Sequence, residues 1–406
     1  MNKDKVKVGM ILERDFPPDD RPEKEALSLI AEGYEVHMLC FTWQDRPTKE
    51  NYKGIKITRF PINRTLYKKL SPTYLAFPIY KYVWKQHIEN FVKDNNLDII
   101  HIHDLPMTDI VHQMALKYGC KVVCDQHEYW SDWIVKTAHY NSIPGKIIKA
   151  LGNWKKYEKQ NLKKADLVIT VTDPLKENYI TEVGIDPQKL ITVPNTPTRT
   201  IFRKENVDPA IVEKYKNDFV IFYAGAMDIL RGLDVVIDAL SKLEKHIPNI
   251  KFLVAGRFSN RFNAIDIAKE KGVEHLLEYI GWLDVEQLPS YIAAAKVCVF
   301  TPHATRDEIN KTIATKIYQY LAMHKPIITS QAKMMHDFVV DNQIGFAIDS
   351  EDKNAFADCL IGLAENYGQN SKSIEQKSKQ LIETQNIFWD QTVKDMIEAY
   401  ARLVAS

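Results

Sequence analysis

Phe219–Leu240 reads FVIFYAGAMDILRGLDVVIDAL, and its two halves follow different periods. Phe219–Ala224 is an unbroken run of β-branched, aromatic and small residues, the pattern of a strand buried on both faces of a parallel sheet. Gly225 ends the run. From Leu233 onward, Leu233, Val236, Ile237 and Leu240 make one stripe of a helix. The loop between carries Arg231, and Gly232 stands before the helix. A doubly buried strand feeding a helix is the unit of α/β folds, because parallel neighbours need a crossover that also covers their faces.

The same alternation continues outward in both directions. Towards the C-terminus, strands are expected at Ile250–Ala255, Leu277–Ile280, Val297–Phe300, Pro326–Thr329 and Gly345–Ile348. Helices are expected at Ala264–Lys271, Val285–Ala293, Thr312–Met323, Met335–Val340 and Lys353–Glu365. Towards the N-terminus, strands are expected at Lys5–Leu12, Glu35–Phe41, Ile55–Phe60, Asp98–His103, Lys121–Asp125, Leu167–Val171 and Leu190–Val193. Amphipathic stretches such as Pro22–Glu32, Tyr74–Lys93 and Ile147–Lys164 lie between them. Val193–Pro209 has no period and three prolines, so it reads as an interdomain connection. Two βα series imply two doubly wound, Rossmann-like α/β domains. The expected division is 1–198, 199–387 and a last helix within 388–406 that packs back on the first domain.

The composition agrees. A chain of 406 residues suits two or three domains, and 45% hydrophobic with 26% charged residues is globular, not disordered. Lys+Arg at 54 against Asp+Glu at 53 leaves no charge excess for a dedicated nucleic-acid binder. No apolar run approaches a membrane span, and the start, MNKDKVKVGMILERDF, reads as a first strand and not as a secretory signal. The five cysteines are scattered and odd in number. No disulfide framework is expected, and a reducing cytoplasm fits. Cys120 and Cys124 have C-x3-C spacing beside His127 but lack the second ligand pair of a zinc knuckle, so no metal is expected.

In open α/β sheets, ligands bind beyond the carboxyl ends of the strands. After the fourth strand comes HIHDLP, with His101 and His103 on one face and Asp104 at the exit. A histidine and a carboxylate there suit acid/base work or sugar hydroxyls; for His101 a core histidine bonded to a carbonyl is the favoured alternative. After the fifth strand comes DQHEYW, where Asp125, His127 and Glu128 either line a site or cap the next segment. In the second half, Gly225, Arg231 and the helix start at Leu233 make a plausible diphosphate cradle. The alternative is a surface arginine beside a helix entry. FLVAGRF repeats the device with Gly256 and Arg257. A further helix is expected from about Thr312, whose free N–H groups would suit phosphate, with Lys316, Gln319 and Tyr320 sharing a face.

With these fragments in order, the chain resembles the retaining glycosyltransferases of glycosyltransferase family 4, which have the GT-B fold. The likeness is carried by DIIHIHD with DQHE, ADLVITVTDPLKENY, KLITVPN, GAMDILRGLDVVIDAL, FLVAGRF, LEYIGWL, TKIYQYLAMHKPIITS and the last helix, with Trp389 and Tyr400. The resemblance implies two Rossmann-like domains facing a cleft. It implies a nucleoside-diphosphate-sugar donor in the second domain, a glycan or lipid-linked acceptor in the first, no metal or other cofactor, and a place in cell-surface polysaccharide synthesis. It puts His103 near the transferred sugar and Arg231 at the donor diphosphate, both as catalytic residues. Gly225, Arg257, Tyr279, Thr312 and Lys316 join the donor site, with Gln319 at the ribose. Asp104, Asp125, His127 and Glu128 fall to the acceptor or sugar.

Three departures stand out. Gln319 replaces the second glutamate of the family's E-x7-E motif, Lys311 stands in the place of the first, and Ala226 stands where a basic residue usually follows the glycine. Two other readings therefore stay open: a non-catalytic GT-B protein that binds a glycan or partner enzyme, and a sugar-nucleotide epimerase. Lys136–Lys164, with eight lysines and one glutamate, and the basic, aromatic Asn63–Lys93 are either solvated helix faces or a peripheral contact with anionic membrane.

Overall fold

The computed structural model describes residues 5–136, 152–259, 262–305 and 307–405. The chain forms two compact units, Met1–Asn195 with Val393–Ser406, and Thr196–Thr392.

Unit 1 is one eight-stranded sheet in the order β3-β4-β2-β1-β5-β6-β7-β8. The strands are β1 (Lys7–Asp15), β2 (Glu35–Thr42), β3 (Lys49–Tyr52), β4 (Ile55–Pro61), β5 (Ile99–His103), β6 (Lys121–Gln126), β7 (Leu167–Thr170) and β8 (Leu190–Thr192). All neighbours are parallel except β3 with β4. All five residues of β5 are buried, which is why its sequence shows no polar alternation. Sequence reading missed β3, whose KENY is polar and mostly exposed. Its signal was the Lys53-Gly54 turn, both residues at positive φ (51° and 90°), the geometry of a tight hairpin. A polar, antiparallel edge strand also blunts the sheet edge. Going outward from β1 and β5 the chain builds in opposite directions, so their exits form the switch point where ligands are expected.

Unit 2 is a six-stranded parallel sheet, β11-β10-β9-β12-β13-β14. It comprises β9 (Phe219–Ala224), β10 (Ile250–Ala255), β11 (Leu277–Tyr279), β12 (Val297–Phe300), β13 (Ile327–Ser330) and β14 (Gly345–Ile348). Its switch point lies between β9 and β12. The helix after β9 is Leu233–Leu243 and buries Leu233, Val236, Ile237 and Leu240. The helix expected from Thr312 starts at Thr315 and runs to Ala322. The residues before it form a separate turn, Asp307–Asn310, and the Asn310 side chain accepts from the Lys333 N–H at 2.9 Å, so Thr312 lies in a loop. Tyr367–Thr384 is an 18-residue helix the sequence did not announce, because Ile374 and Leu381 are its only buried large apolar residues.

The final segment, read as one helix, is two: Trp389–Thr392 in unit 2 and Lys394–Ala405 in unit 1. The second buries Met396, Ala399 and Tyr400, one stripe, in unit 1. Among the described residues no helix is long and apolar enough to cross a membrane.

Candidate functional site

At the unit 1 switch point, side chains from two strand exits and two helices meet. His101 and His103 both stand on β5, their rings stacked at 4.5 Å, and both are buried. Asp104 takes a left-handed φ of 65° and donates its N–H to the Asp125 carbonyl at 2.8 Å, tying the exits of β5 and β6. The helix Asp20–Ala31 sends in Arg21, whose Nε and Nη2 fork onto the Asp125 carboxylate at 2.9 and 2.8 Å while Nη1 donates to the Val193 carbonyl. One turn later Glu25 lies 3.0 Å from Arg21 and 3.4 Å from His101 Nε2. His103 Nδ1 is 3.2 Å and His127 Nε2 2.7 Å from Asp125 Oδ2, and His127 Nδ1 is 3.6 Å from Asp104. His101 Nδ1 meets the Tyr400 hydroxyl at 2.6 Å, not the carbonyl expected of a core histidine.

Asp125 therefore has both oxygens engaged and no exposed surface. It positions the two histidines instead of presenting an oxygen to a ligand. Burial opposes ionisation of Asp125, but Arg21 and His127 overcome it and hold the carboxyl well below its usual range. Glu25 is pushed up to about 8 by burial and by the Asp125 charge. Burial works against the His127 cation, yet Asp104 and Asp125 raise it to about 9. Burial lowers His103 and, more strongly, His101. Glu25, His101, His103 and Asp125 offer ligand atoms all within 4.8 Å, a donor set a divalent ion would accept. The Arg21 fork on Asp125 places a fixed positive charge beside the same set. Sequence reading missed Arg21 and Glu25, and it named Tyr400 only for the family likeness, with no place in the site. Arg21, Glu25 and Leu29 recur every four residues on the buried side of their helix, which was the available signal.

In unit 2 the loops after β9, β10 and β11 are joined through their backbones. Gly225 N–H donates to the Ala255 carbonyl at 2.9 Å, Gly256 N–H to the Gly281 carbonyl at 2.7 Å, and Met227 N–H to the Arg257 carbonyl at 2.9 Å. A side chain at Gly256 (φ 135°) would lie 1.8 Å from the Gly225 carbonyl oxygen. At Gly232 (φ 72°) it would lie 1.7 Å from the Thr301 carbonyl oxygen. Glycine is required at both by close backbone approach.

Over this floor stands Lys316, from the helix Thr315–Ala322. Its Nζ is 4.0 Å from the Tyr223 ring centre and 4.4 Å from that of Phe300, and a Cβ on Gly225 would come within 2.6 Å of it. Burial, then the charge of Arg231, push the Lys316 ammonium well below the usual lysine pKa. Arg231 is exposed at the end of a short turn, Ile229–Arg231, next to the helix Leu233–Leu243. Lys316 Nζ thus stands against Gly225, the residue before Ala226. Arg257 is exposed and stacks on the Trp282 ring at 4.5 Å. The Tyr279 hydroxyl donates to the Gly256 carbonyl at 2.8 Å. Gln319 lies one turn beyond Lys316, partly exposed, while Thr312 is in the preceding loop. His303, not singled out from sequence, sits at the β12 exit between Asp234 and Glu351. Burial opposes its charge, but those carboxylates raise its pKa.

Residues 25–196 match the model of Glycosyltransferase Family 4, and residues 204–381 match that of Glycosyl transferases group 1. An uncharacterized glycosyltransferase of Methanocaldococcus jannaschii is 21% identical over 386 residues, covering 92% of this chain and 91% of that protein. Sucrose-phosphate synthase from Thermosynechococcus elongatus superposes with a TM-score of 0.74 at 16% identity, covering 99% of this chain and all of the other. HepE of Anabaena in complex with UDP-glucose superposes at 0.68 with 15% identity, covering 98% of this chain and 100% of that one. The two family matches, laid end to end over both units, agree with these GT-B neighbours: the chain belongs to the group 1, family 4 glycosyltransferases of GT-B fold.

Proposed function

We propose that this chain moves a sugar from a nucleoside-diphosphate-sugar to a glycan or lipid-linked acceptor with retention of anomeric configuration, without a metal, in cell-surface polysaccharide assembly. One observation carries the reading: at the switch point of unit 2, Lys316 Nζ stands over the Tyr223 and Phe300 rings, and burial, then the charge of Arg231, lowers its pKa. Neither the Arg231 nor the Lys316 side chain has a hydrogen bond or ion pair among the described residues. Like charges held together without a counter-charge suit an anionic ligand. The helix Leu233–Leu243 adds its N-terminal N–H groups. The UDP-glucose bound in the Anabaena neighbour has the matching chemistry.

When the bond from the anomeric carbon to the diphosphate breaks, negative charge grows on the leaving oxygen. Arg231, Lys316 and the helix N–H groups stabilise it where it grows. The acceptor oxygen bonds to the anomeric carbon, and its proton ends on the released diphosphate, so atoms and charge balance. Tyr279 and Arg257 flank the base side, and Gln319 supplies an uncharged hydrogen-bonding group for ribose. In unit 1, His103, Asp104 and His127 are the groups offered to sugar or acceptor hydroxyls.

The test is thermal stability with UDP, GDP, ADP, dTDP and CMP. A ligand at 100 times its Kd adds about 2.7 kcal/mol. One nucleotide should raise the melting temperature of the wild type and lose most of that effect in Arg231→Ala. It then names the donor for transfer assays. No shift with any nucleotide supports the non-catalytic reading that Gln319 and Lys311 motivate. Turnover of the sugar nucleotide without an acceptor supports the epimerase.

Peripheral membrane contact at the inner face of the cell membrane is part of the proposal. Leu66, Phe77, Ile79 and Tyr82 are 48–70% exposed, and Arg64, Lys68, Lys69 and Lys85 on the same segment are exposed too. Of the other basic stretch, Lys136–Lys164, residues 137–151 lie outside the described residues, and the helix Trp154–Leu162 buries its aromatic Trp154 and Tyr157. Flotation with anionic vesicles, and none with phosphatidylcholine vesicles, is the expected result.

A further inference from the structure

Unit 2 holds a cavity of about 730 Å³ that no part of the donor cradle lines. Its walls include Ala293, Met323, Lys325 and Pro326, which precede β12 and β13 in the chain. Gly225, Gly256 and Thr301 follow β9, β10 and β12. Because the sheet is parallel, the cavity and the cradle lie at opposite ends of it. Four to six residues at about 3.3 Å each put roughly 13–20 Å between those ends.

The volume is that of a small-molecule pocket, and the lining is amphipathic in the way such pockets are. Phe202, Met323 and Phe388 form an apolar wall, all buried. The charged lining sorts into satisfied and unsatisfied groups. Arg199 lies on the Phe388 ring at 4.2 Å and pairs with Asp390. Lys325 donates to the carbonyls of Ala293 and Ala295 at 2.6 and 2.7 Å. Glu375 pairs with Lys379 at 2.6 Å. What is left is one exposed carboxylate, Glu205, and three groups that are cationic or donor-capable. The Lys204 side chain has no hydrogen bond or ion pair among the described residues. Arg203 has a single 3.4 Å contact to Asn206. His324 Nδ1 is buried with no partner, on a residue held at a φ of 56°. A non-glycine residue in that region is strained, and a buried unpaired ring nitrogen is costly.

We propose that this cavity is a second ligand site, taking a small amphipathic anion. Its phosphate or carboxylate head meets Lys204, Arg203 and His324, and its unbranched apolar body lies along Phe202, Met323 and Phe388. An uncharged apolar molecule would leave the three donors unused. A bare anion would leave the aromatic wall wet.

The probes are octyl phosphate, octanoate, octyl glucoside and inorganic phosphate, each titrated below any micelle-forming concentration by calorimetry and thermal shift on the full chain. Octyl phosphate, octanoate or both should bind saturably at one site, and which of them binds identifies the head group. Octyl glucoside and inorganic phosphate should bind at least tenfold more weakly. Arg203→Ala with Lys204→Ala, both at exposed positions, should cost tenfold or more in affinity, and Met323→Trp should abolish binding by filling the cavity. Arg231→Ala, in the cradle, should leave this binding unchanged, which separates its failure from failure of the donor reading. The proposal is overturned if neither anion binds saturably, if octyl glucoside binds as tightly as they do, or if Arg231→Ala and not the 203/204 pair removes the binding.

Discussion

Lys316 carries its ammonium between two aromatic rings, where burial and the Arg231 charge both favour the neutral form. A diphosphate bound beside it favours the cation. The folded, free chain therefore holds fewer protons at this position than the nucleotide complex, and binding takes up protons. Affinity should fall as pH rises above the depressed pKa of the free chain. Calorimetry in two buffers of different ionisation enthalpy is the direct check. The apparent binding enthalpy should differ between buffers for the wild type and coincide for Lys316→Met, which should also bind about tenfold more weakly, roughly 1.4 kcal/mol. Identical enthalpies in the wild type would remove Lys316 from the diphosphate site. Helical spacing made Lys316 and Gln319 legible together. The rings that hold Lys316 were not legible, because Tyr223 and Phe300 stand on separate strands brought together only by the sheet order.

Among the elements, the strand-exit loops of unit 2 and the buried helix face of unit 1 make separate predictions. Gly256→Ala sets a methyl 1.8 Å from the Gly225 carbonyl oxygen at a φ of 135°. It should lower the melting temperature of unit 2 and remove the nucleotide-induced shift; a fully retained shift would show that the paired loops do not shape the site. In unit 1, Glu25 rises from 4.5 to about 8 and His127 from 6.5 to about 9. Groups raised on folding give stability that is complete below their unfolded values and lost as pH passes the folded ones. Asp125 is lowered, so its contribution is lost only in acid. The melting temperature of unit 1 should therefore fall between pH 6 and 9, and Glu25→Gln should flatten the slope. A wild-type curve that is level or rising over that range contradicts the assignment. The alternation of strands and helices was legible because each doubly buried strand is a short apolar run. The polar β3 and the Tyr367–Thr384 helix escaped because each buries too little apolar surface to leave a period. The Arg21–Glu25 pair escaped because charged residues on a helix read as solvated unless their place on the buried stripe is counted.

For the molecule as a whole, the two-unit organisation was legible in the restart of the βα series after Val193–Pro209, while the placing of donor and acceptor came only from resemblance. Unit 2 is inserted in unit 1, since the chain leaves at Asn195 and returns at Val393. A chain stopped after Thr392 should keep a cooperative, nucleotide-responsive unit 2 and lose the stability of unit 1, as two calorimetric transitions would resolve. Tyr400→Phe removes only the hydroxyl at 2.6 Å from His101 Nδ1 and should cost unit 1 about 1–3 kcal/mol. That inserted arrangement also sets an order of events during translation. Every residue of unit 2 is synthesised before Val393–Ser406 exists to be added to unit 1. The first 195 residues must wait, with the buried histidines of β5 lacking the Tyr400 hydroxyl, until the whole of unit 2 has been made. The part of the molecule synthesised first is thus completed last, and its unpaired interior is what a nascent-chain chaperone would meet.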